Sequence, residues 1–219
     1  MKGYKGTDAN MCCHGFQYEI GKTHEVKGKL QICLNGFHFC EKLIAIDDCY
    51  DLSTSRVFEV EATGDIQEGK LKFCTNEIKF IRELSKDEIV KLANEAVNDT
   101  DMYVRETLAK LKFASNETLE ILSKDSGWNV RQAVAKNLNT DEKALKFLSH
   151  DEHYCVRTEV ASNPNTSKEV LKHLSQDDDW YVRRAVAKNL NTTNIVLKIM
   201  CHDKDSMVQM TAKKTLEMK

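Results

Sequence analysis

The pair Val-Arg recurs at Val104-Arg105, Val130-Arg131, Val156-Arg157 and Val182-Arg183, each copy 26 residues after the last. The next step of the same length lands on Val208-Gln209, a degenerate fifth copy. Other columns keep the period. An acid stands five residues before each Val: Asp99, Asp125, Asp151, Asp177 and Asp203. Two residues before it stands Met102, Trp128, Tyr154 or Trp180, with Ser206 in the last copy. Apolar pairs follow at Leu119/Leu122, Leu145/Leu148, Leu171/Leu174 and Leu197/Met200. A fixed period of this length is the mark of stacked units, because one unit cannot bury its apolar face alone.

Each unit reads as two short helices. The first has apolar positions at i and i+3 and follows a cap at Thr140, Thr166 or Thr192; Ser85-x-x-Glu88 forms a capping box before the first copy. Asp occupies the turn. The second helix carries Val and, one turn on, Val-Ala or Leu-Ala, with Ala small enough for close packing. It stops at Asn-Leu-Asn-Thr or, at 163–166, Asn-Pro-Asn-Thr, where Pro164 has no N–H to continue it. The expectation is an all-α right-handed solenoid of five 26-residue two-helix repeats over residues 85–219.

The residues before the repeat are of another kind. Eight of nine glycines lie between Gly3 and Gly69, and six of eight cysteines between Cys12 and Cys74. Phe58, Val60 and Ala62 alternate with polar neighbours as in a half-buried strand, and so do residues of Gly15–Ile20. Phe73 to Phe80 reads as one further strand, Gly64-Asp65 as a turn, and Leu43, Ile44 and Ile46 as a short helix. Residues 1–84 are therefore expected to form a small β-rich α+β domain. The chain shows no apolar run of about 20 residues and no export signal at its start, so no membrane span is expected. With adjacent Cys12 and Cys13, this favours reduced thiols and a cytoplasmic setting.

The repeat half resembles the leucine-rich repeat variant family and, more loosely, HEAT repeats. The carrying residues are Trp128-x-Val-Arg-x-Ala-Val-Ala-x-Asn137, Val156-Arg-x-Glu-Val-Ala-Ser-Asn-Pro-Asn-Thr166 and Trp180-x-Val-Arg-x-Ala-Val-Ala-x-Asn189. The resemblance implies a binding scaffold, not a reaction. Some members of that family carry an iron–sulfur cluster on an N-terminal cysteine-rich segment. Here Cys12, Cys13, His14, Cys33, His38, Cys40, Cys49 and Cys74 offer ligand types, but no Cys-x-x-Cys knuckle exists. Ordinary buried thiols are the preferred reading, and no metal is expected. Cys12-Cys-His14 as a thiol nucleophile rests on adjacency alone, which is weak because neighbours on a strand face opposite ways.

The N-terminal half resembles an uncharacterised domain of bacterial and phage proteins, through Cys13-x-Gly-Phe-Gln-Tyr-Glu-Ile-Gly-Lys22, Cys33-x-x-Gly-Phe-His-Phe-Cys-Glu41 and Arg56-Val-Phe-Glu-Val-Glu-Ala62. It is also distantly similar to ADP-ribosyltransferases, through Tyr4-Lys-Gly-Thr7 and Ser53-Thr-Ser55 with Glu77 downstream. That resemblance implies Lys5, Ser53, Ser55 and Glu77 as catalytic candidates and NAD as cofactor. Lys5 stands where the family has Arg or His, and Thr75 where it has Glu or Gln.

In the repeats the binding candidates are the column Arg105, Arg131, Arg157 and Arg183 and the aromatic column that includes Trp128 and Trp180. The arginines can grip phosphates, or they can pair with the turn acids as a ladder between neighbouring repeats. From Ser85 onward 21 basic residues face 21 acidic ones, so there is no basic field, and the ladder is preferred. The aromatic column is likewise expected to pack. The functional expectation is a non-enzymatic scaffold with a concave helical-repeat surface for a protein partner, no cofactor, and an unassigned oligomeric state. A nucleic-acid-binding solenoid and a divergent ADP-ribosyltransferase are the alternatives.

Overall fold

The computed structural model describes residues 1–13, 15–32, 35–48, 50–69 and 72–219. By internal packing the chain divides into two units, Met1–Thr100 and Asp101–Lys219.

The first unit is β-rich, with open sheets. Four antiparallel strands lie in the order β1-β6-β9-β4, where β1 is Lys2–Thr7, β6 Arg56–Ala62, β9 Glu77–Glu83 and β4 Thr23–Glu25. A three-stranded sheet has the order β5-β8-β7, with β5 Phe37–Phe39, β7 Ile66–Glu68 and β8 Phe73–Thr75. The two-residue strands β2 (Cys12–Cys13) and β3 (Phe16–Gln17) pair antiparallel. Tyr4 and Cys40 form an isolated bridge. Gly3 permits this approach, since a Cβ there would stand 2.5 Å from the Cys40 carbonyl oxygen.

Phe58, Val60 and Ala62 of β6 all point into the core, where Tyr18, Phe37, Phe39, Ile78 and Phe80 meet them. The Tyr18 and Phe80 rings stack at 4.5 Å. The short helix expected near residue 43 is a 3₁₀ helix over Leu43–Asp48 that buries Leu43, Ile44 and Ile46. Phe73 to Phe80 is not one strand. It breaks at Asn76, and the two pieces pair in different sheets, β8 with β5 and β7, β9 with β6 and β4. Helix α1 (Lys86–Glu95) ends this unit. Its capping box at Ser85 and Glu88 is formed as expected.

The five 26-residue copies form two-helix repeats that pack as a solenoid. The first copy comprises α1, in the first unit, and α2 (Met102–Lys110), in the second. The others are α3 (Asn116–Leu122) with α4 (Trp128–Lys136), α5 (Glu142–Leu148) with α6 (Tyr154–Ser162), α7 (Lys168–Leu174) with α8 (Trp180–Lys188), and α9 (Asn194–Met200) with α10 (Ser206–Glu217). Every Val of the period is buried, as are the Leu119/Leu122 pair and its equivalents. Each such side chain contributes about 1.5–3 kcal/mol through burial. Helices of seven to twelve residues are too short to stand alone in water, so this packing holds them.

The caps sit one residue later than the sequence suggested. Asp141 and Thr193 cap α5 and α9, accepting from the backbone N–H of Ala144 and Val196, and Ser167 occupies the cap position of α7. Thr140, Thr166 and Thr192 are buried instead, and their hydroxyls donate to the carbonyls of Val134, Val160 and Val186 at 2.5, 2.5 and 2.7 Å. They close the end of the preceding helix, whose last carbonyls have no partner within it.

A buried asparagine column fastens one repeat to the next. Asn163 Nδ2 donates to the carbonyls of Ala135 at 2.8 Å and Asn137 at 3.1 Å, and its Oδ1 accepts from the Asn165 N–H at 2.9 Å. Asn137 and Asn189 do the same one repeat away on either side. Replacing Asn163 by Ala leaves two buried carbonyls short of a donor, at about 1–3 kcal/mol for each buried group left unmet. Urea unfolding is expected to show Asn163→Ala destabilised by at least ~2 kcal/mol and Asn165→Ala, at an exposed position, by less than about 1 kcal/mol.

Candidate functional site

The guanidinium column turns inward. Each Arg clasps the acid of the next repeat, 20 residues on, with two parallel bonds. Arg131 Nε and Nη2 reach the Asp151 carboxylate at 2.6 and 3.0 Å, and Arg157 reaches Asp177 at 2.7 and 3.0 Å. Arg105 holds Asp125 and Arg183 holds Asp203 in the same way. The acid six residues before each Arg contributes its backbone carbonyl: Arg131 Nη1 donates to Asp125 O at 2.9 Å, Arg157 Nη1 to Asp151 O at 2.8 Å, and Arg183 Nη1 to Asp177 O at 2.7 Å. The second copy of each bond type repeats at the 26-residue period because the turn geometry repeats.

The carboxylate has a third task. Its Oδ1 accepts the N–H two residues on, at 2.8–2.9 Å for Gly127, His153, Asp179 and Asp205. Both ends of the column are altered. Asp99 takes Lys42 Nζ at 2.7 Å in place of a guanidinium, and Gln209 keeps only the carbonyl contact, to Asp203 O at 2.6 Å. Burial pushes the Asp125, Asp177 and Asp203 carboxyls up. Hydrogen bonds from the arginine and the backbone, with the nearby guanidinium charge, outweigh it and hold all three below the ordinary aspartate value.

The aromatic column lies elsewhere. Trp128 and Tyr154 are two-fifths exposed, and Trp180 is half-buried. These rings stack along the surface at the start of the second helices. His173 is exposed, and so are its column mates Ile121, Phe147 and Ile199. The periodicity that marks a column does not say which face it occupies.

The N-terminal candidates are spread over the first unit. Lys5 is buried on β1. Its Nζ donates to the His38 carbonyl at 2.7 Å and lies 3.8 Å from Cys13 Sγ, which is 2.6 Å from the Tyr50 hydroxyl. Lys5, Cys13, His38 and Tyr50 line a cavity of about 280 Å³. Ser53, Ser55 and Glu77 are not among its lining residues. The Ser53 hydroxyl bonds Asp51, and the Ser55 carbonyl accepts from Lys86 Nζ at 3.2 Å. Ser55 precedes β6, while Glu77 opens β9 beside the far end of β6, where Ala62 pairs with Ile78. Seven residues of strand separate those ends by about 20 Å. Glu77 accepts there from the Thr63 hydroxyl.

Among the described residues, no group of three or more His, Cys, Asp and Glu side chains comes together to hold a metal ion. Cys12 and Cys13 are half-buried, and Cys40 and Cys74 are buried. His14, Cys33 and Cys49 lie outside the described residues. No helix is long and apolar enough to cross a membrane, among the described residues.

Residues 1–92 match the family model of a domain of unknown function, DUF7666. No curated protein matches the chain. Among solved structures, the repeats are similar to a leucine-rich repeat variant with a novel repetitive protein structural motif, at 22% identity over 60% of this chain, with a TM-score of 0.47. The chain spans 56% of the length of that protein. It is also similar to an engineered protein, at 18% identity over 58% of this chain and 78% of the other, TM-score 0.38. A designed armadillo repeat protein matches at 14% identity over 59% of this chain and 81% of the other, TM-score 0.38.

The ladder makes two expected outcomes. Arg131→Glu sets like charges against Asp151 in a pair whose side chains are 10% and 5% exposed, and is expected to lower the melting temperature by several degrees or more. The depressed aspartates stabilise the fold fully above the ordinary aspartate pKa of about 4, and lose that contribution as pH falls through their lower folded values. Melting followed by circular dichroism should therefore be nearly flat from pH 7 to 5 and fall below about pH 4. A melting temperature unchanged down to pH 2 would contradict the ladder's electrostatic role.

Proposed function

We propose that the chain is a non-enzymatic binding protein. The repeat array recognises a protein partner through the side chains its fasteners leave on the surface, and the N-terminal module supplies a second contact. One observation carries this reading. The charged columns of the repeat are consumed inside the array, while large apolar residues of the same period stand outside. Ile121, Phe147 and Ile199 on the first helices, and Leu138 and Leu190 after the second, are all more than half exposed. Large apolar side chains exposed repeatedly along an array suit an interaction surface.

A nucleic-acid partner would call on the guanidinium column, and those groups hold carboxylates. An ADP-ribosyltransferase site would call on Lys5, Ser53, Ser55 and Glu77 together, and the strand register sets Ser55 and Glu77 at opposite ends of β6. The half-buried thiols of Cys12, Cys13, Cys155 and Cys201 suit a reducing cytoplasmic setting.

A photo-crosslinking amino acid placed at Phe147 or Ile199, in the organism that makes the protein, tests the reading. The expected result is a protein adduct of defined mass that is absent when the same group replaces the buried Leu145. Adducts to nucleic acid alone, or none from any exposed column, would defeat it.

A further inference from the structure

Five rings form an unbroken row across three repeats. Trp128 stacks on His153 at 4.1 Å with planes 5° apart, and His153 stacks on Tyr154 at 5.3 Å and 16°. Tyr154 reaches Tyr181 at 6.1 Å, and Tyr181 lies 3.9 Å from Trp180. This row is surface: Trp128, Tyr154 and Tyr181 are 40%, 41% and 49% exposed. The repeat core does not need it, because the period's Val, Leu and Ala columns already fill that core.

Carboxylates flank the rings. Glu152 precedes the His153-Tyr154 pair with its side chain 87% exposed, and its ion pair to Arg131 at 3.3 Å uses a single oxygen. Asp178 and Asp179 precede Trp180-Tyr181; Asp178 is exposed, and Asp179 accepts one N–H, from Tyr181. Aromatic faces carry negative charge density and attract cations, most strongly when the cation is a guanidinium or ammonium that also meets a carboxylate. Neighbouring helices in a stack lie about 8–10 Å apart. An extended chain covers that interval in about three residues.

Resting on the scaffold reading above, we infer that the row from Trp128 to Trp180 is the docking surface for an extended polypeptide segment bearing arginine or lysine at intervals of about three residues, each cation seated between a ring and a carboxylate. The basic side chains complement the acids beside the rings, and the repeat supplies one such seat after another. The rest of each partner residue faces water, so the surface selects for charge and spacing.

The chain reports on its own row, since both of its tryptophans belong to it. Intrinsic fluorescence of the full chain is titrated with the synthetic peptide (Arg-Ser-Gly)4, with (Glu-Ser-Gly)4, with arginine amide and with a single-stranded oligonucleotide. The expected result is a saturable change with the arginine peptide alone, weakened by salt and at least tenfold tighter than arginine amide. Glu152→Gln with Asp178→Asn, both at exposed positions, should weaken it at least tenfold while lowering the melting temperature by no more than a few degrees. Tyr154→Ala should do the same, and the charge variants keep the test sharp should that variant fold poorly. No saturable change, an equal response to the glutamate peptide or the oligonucleotide, or binding that survives the charge variants would overturn the inference. Protein adducts at Phe147 or Ile199 alongside such a failure would leave the scaffold standing and move its binding face elsewhere.

Discussion

The second unit depends on a clasp between consecutive repeats: a guanidinium holding the carboxylate of the next copy with two bonds and the turn carbonyl of its own copy with a third. Buried charges are costly unless every lone pair and proton is met. Here the arginine and the aspartate are both nearly enclosed, and each is satisfied in several directions. The asparagine column works beside it with neutral groups. Two donors and one acceptor of a buried amide are all used, each bond crossing a repeat boundary or closing a helix end. Hydrophobic burial gives the stack its stability, and these polar fasteners give it its register. A repeat shifted by one helical turn would keep much apolar contact, yet strand a carboxylate and an amide in a dry interior.

That division of labour frees the surface. Once the period's charges are paired inside, what remains outside is set by other demands. Rings gather at the start of the second helices, and isoleucine and phenylalanine gather on the first. Neither arrangement helps the core. The first unit contrasts with this. It is held by aromatic packing between two sheets, and Lys5, Cys13 and Tyr50, from separate segments, line a cavity in it.

The repeat was legible in the sequence because its fasteners are local and recur. Val, Asp, Arg and Asn each keep a 26-residue column, so helices, turns and stacking followed from spacing. The cap position was misread by one residue for a physical reason. Thr140-Asp141, Thr166-Ser167 and Thr192-Thr193 are pairs in which both members can cap, and only burial tells them apart. Periodicity also fails to distinguish an inner column from an outer one: the spacing of the aromatic column shows that it recurs, not that its rings stand on the surface. The break at Asn76 was hidden because it follows from pairing with strands 37–39 and 56–62, far off in sequence. The relation of Lys5 to Ser55 and Glu77 was hidden for the same cause.

The clasp has a consequence for how such a chain can change in length. Every fastener joins positions at fixed offsets: 20 residues for Arg to Asp, and 26 and 28 for Asn to its carbonyls. Copying a whole block such as 141–166 into the gene would leave each of these offsets intact. Every new Arg would find an Asp ahead, and every new Asn a carbonyl behind. Insertions of other lengths would break them all at the junction. The array is thus open to growth and loss by whole units, and its end pieces, Lys42 with Asp99 and Gln209 with Asp203, would serve unchanged at any number of copies.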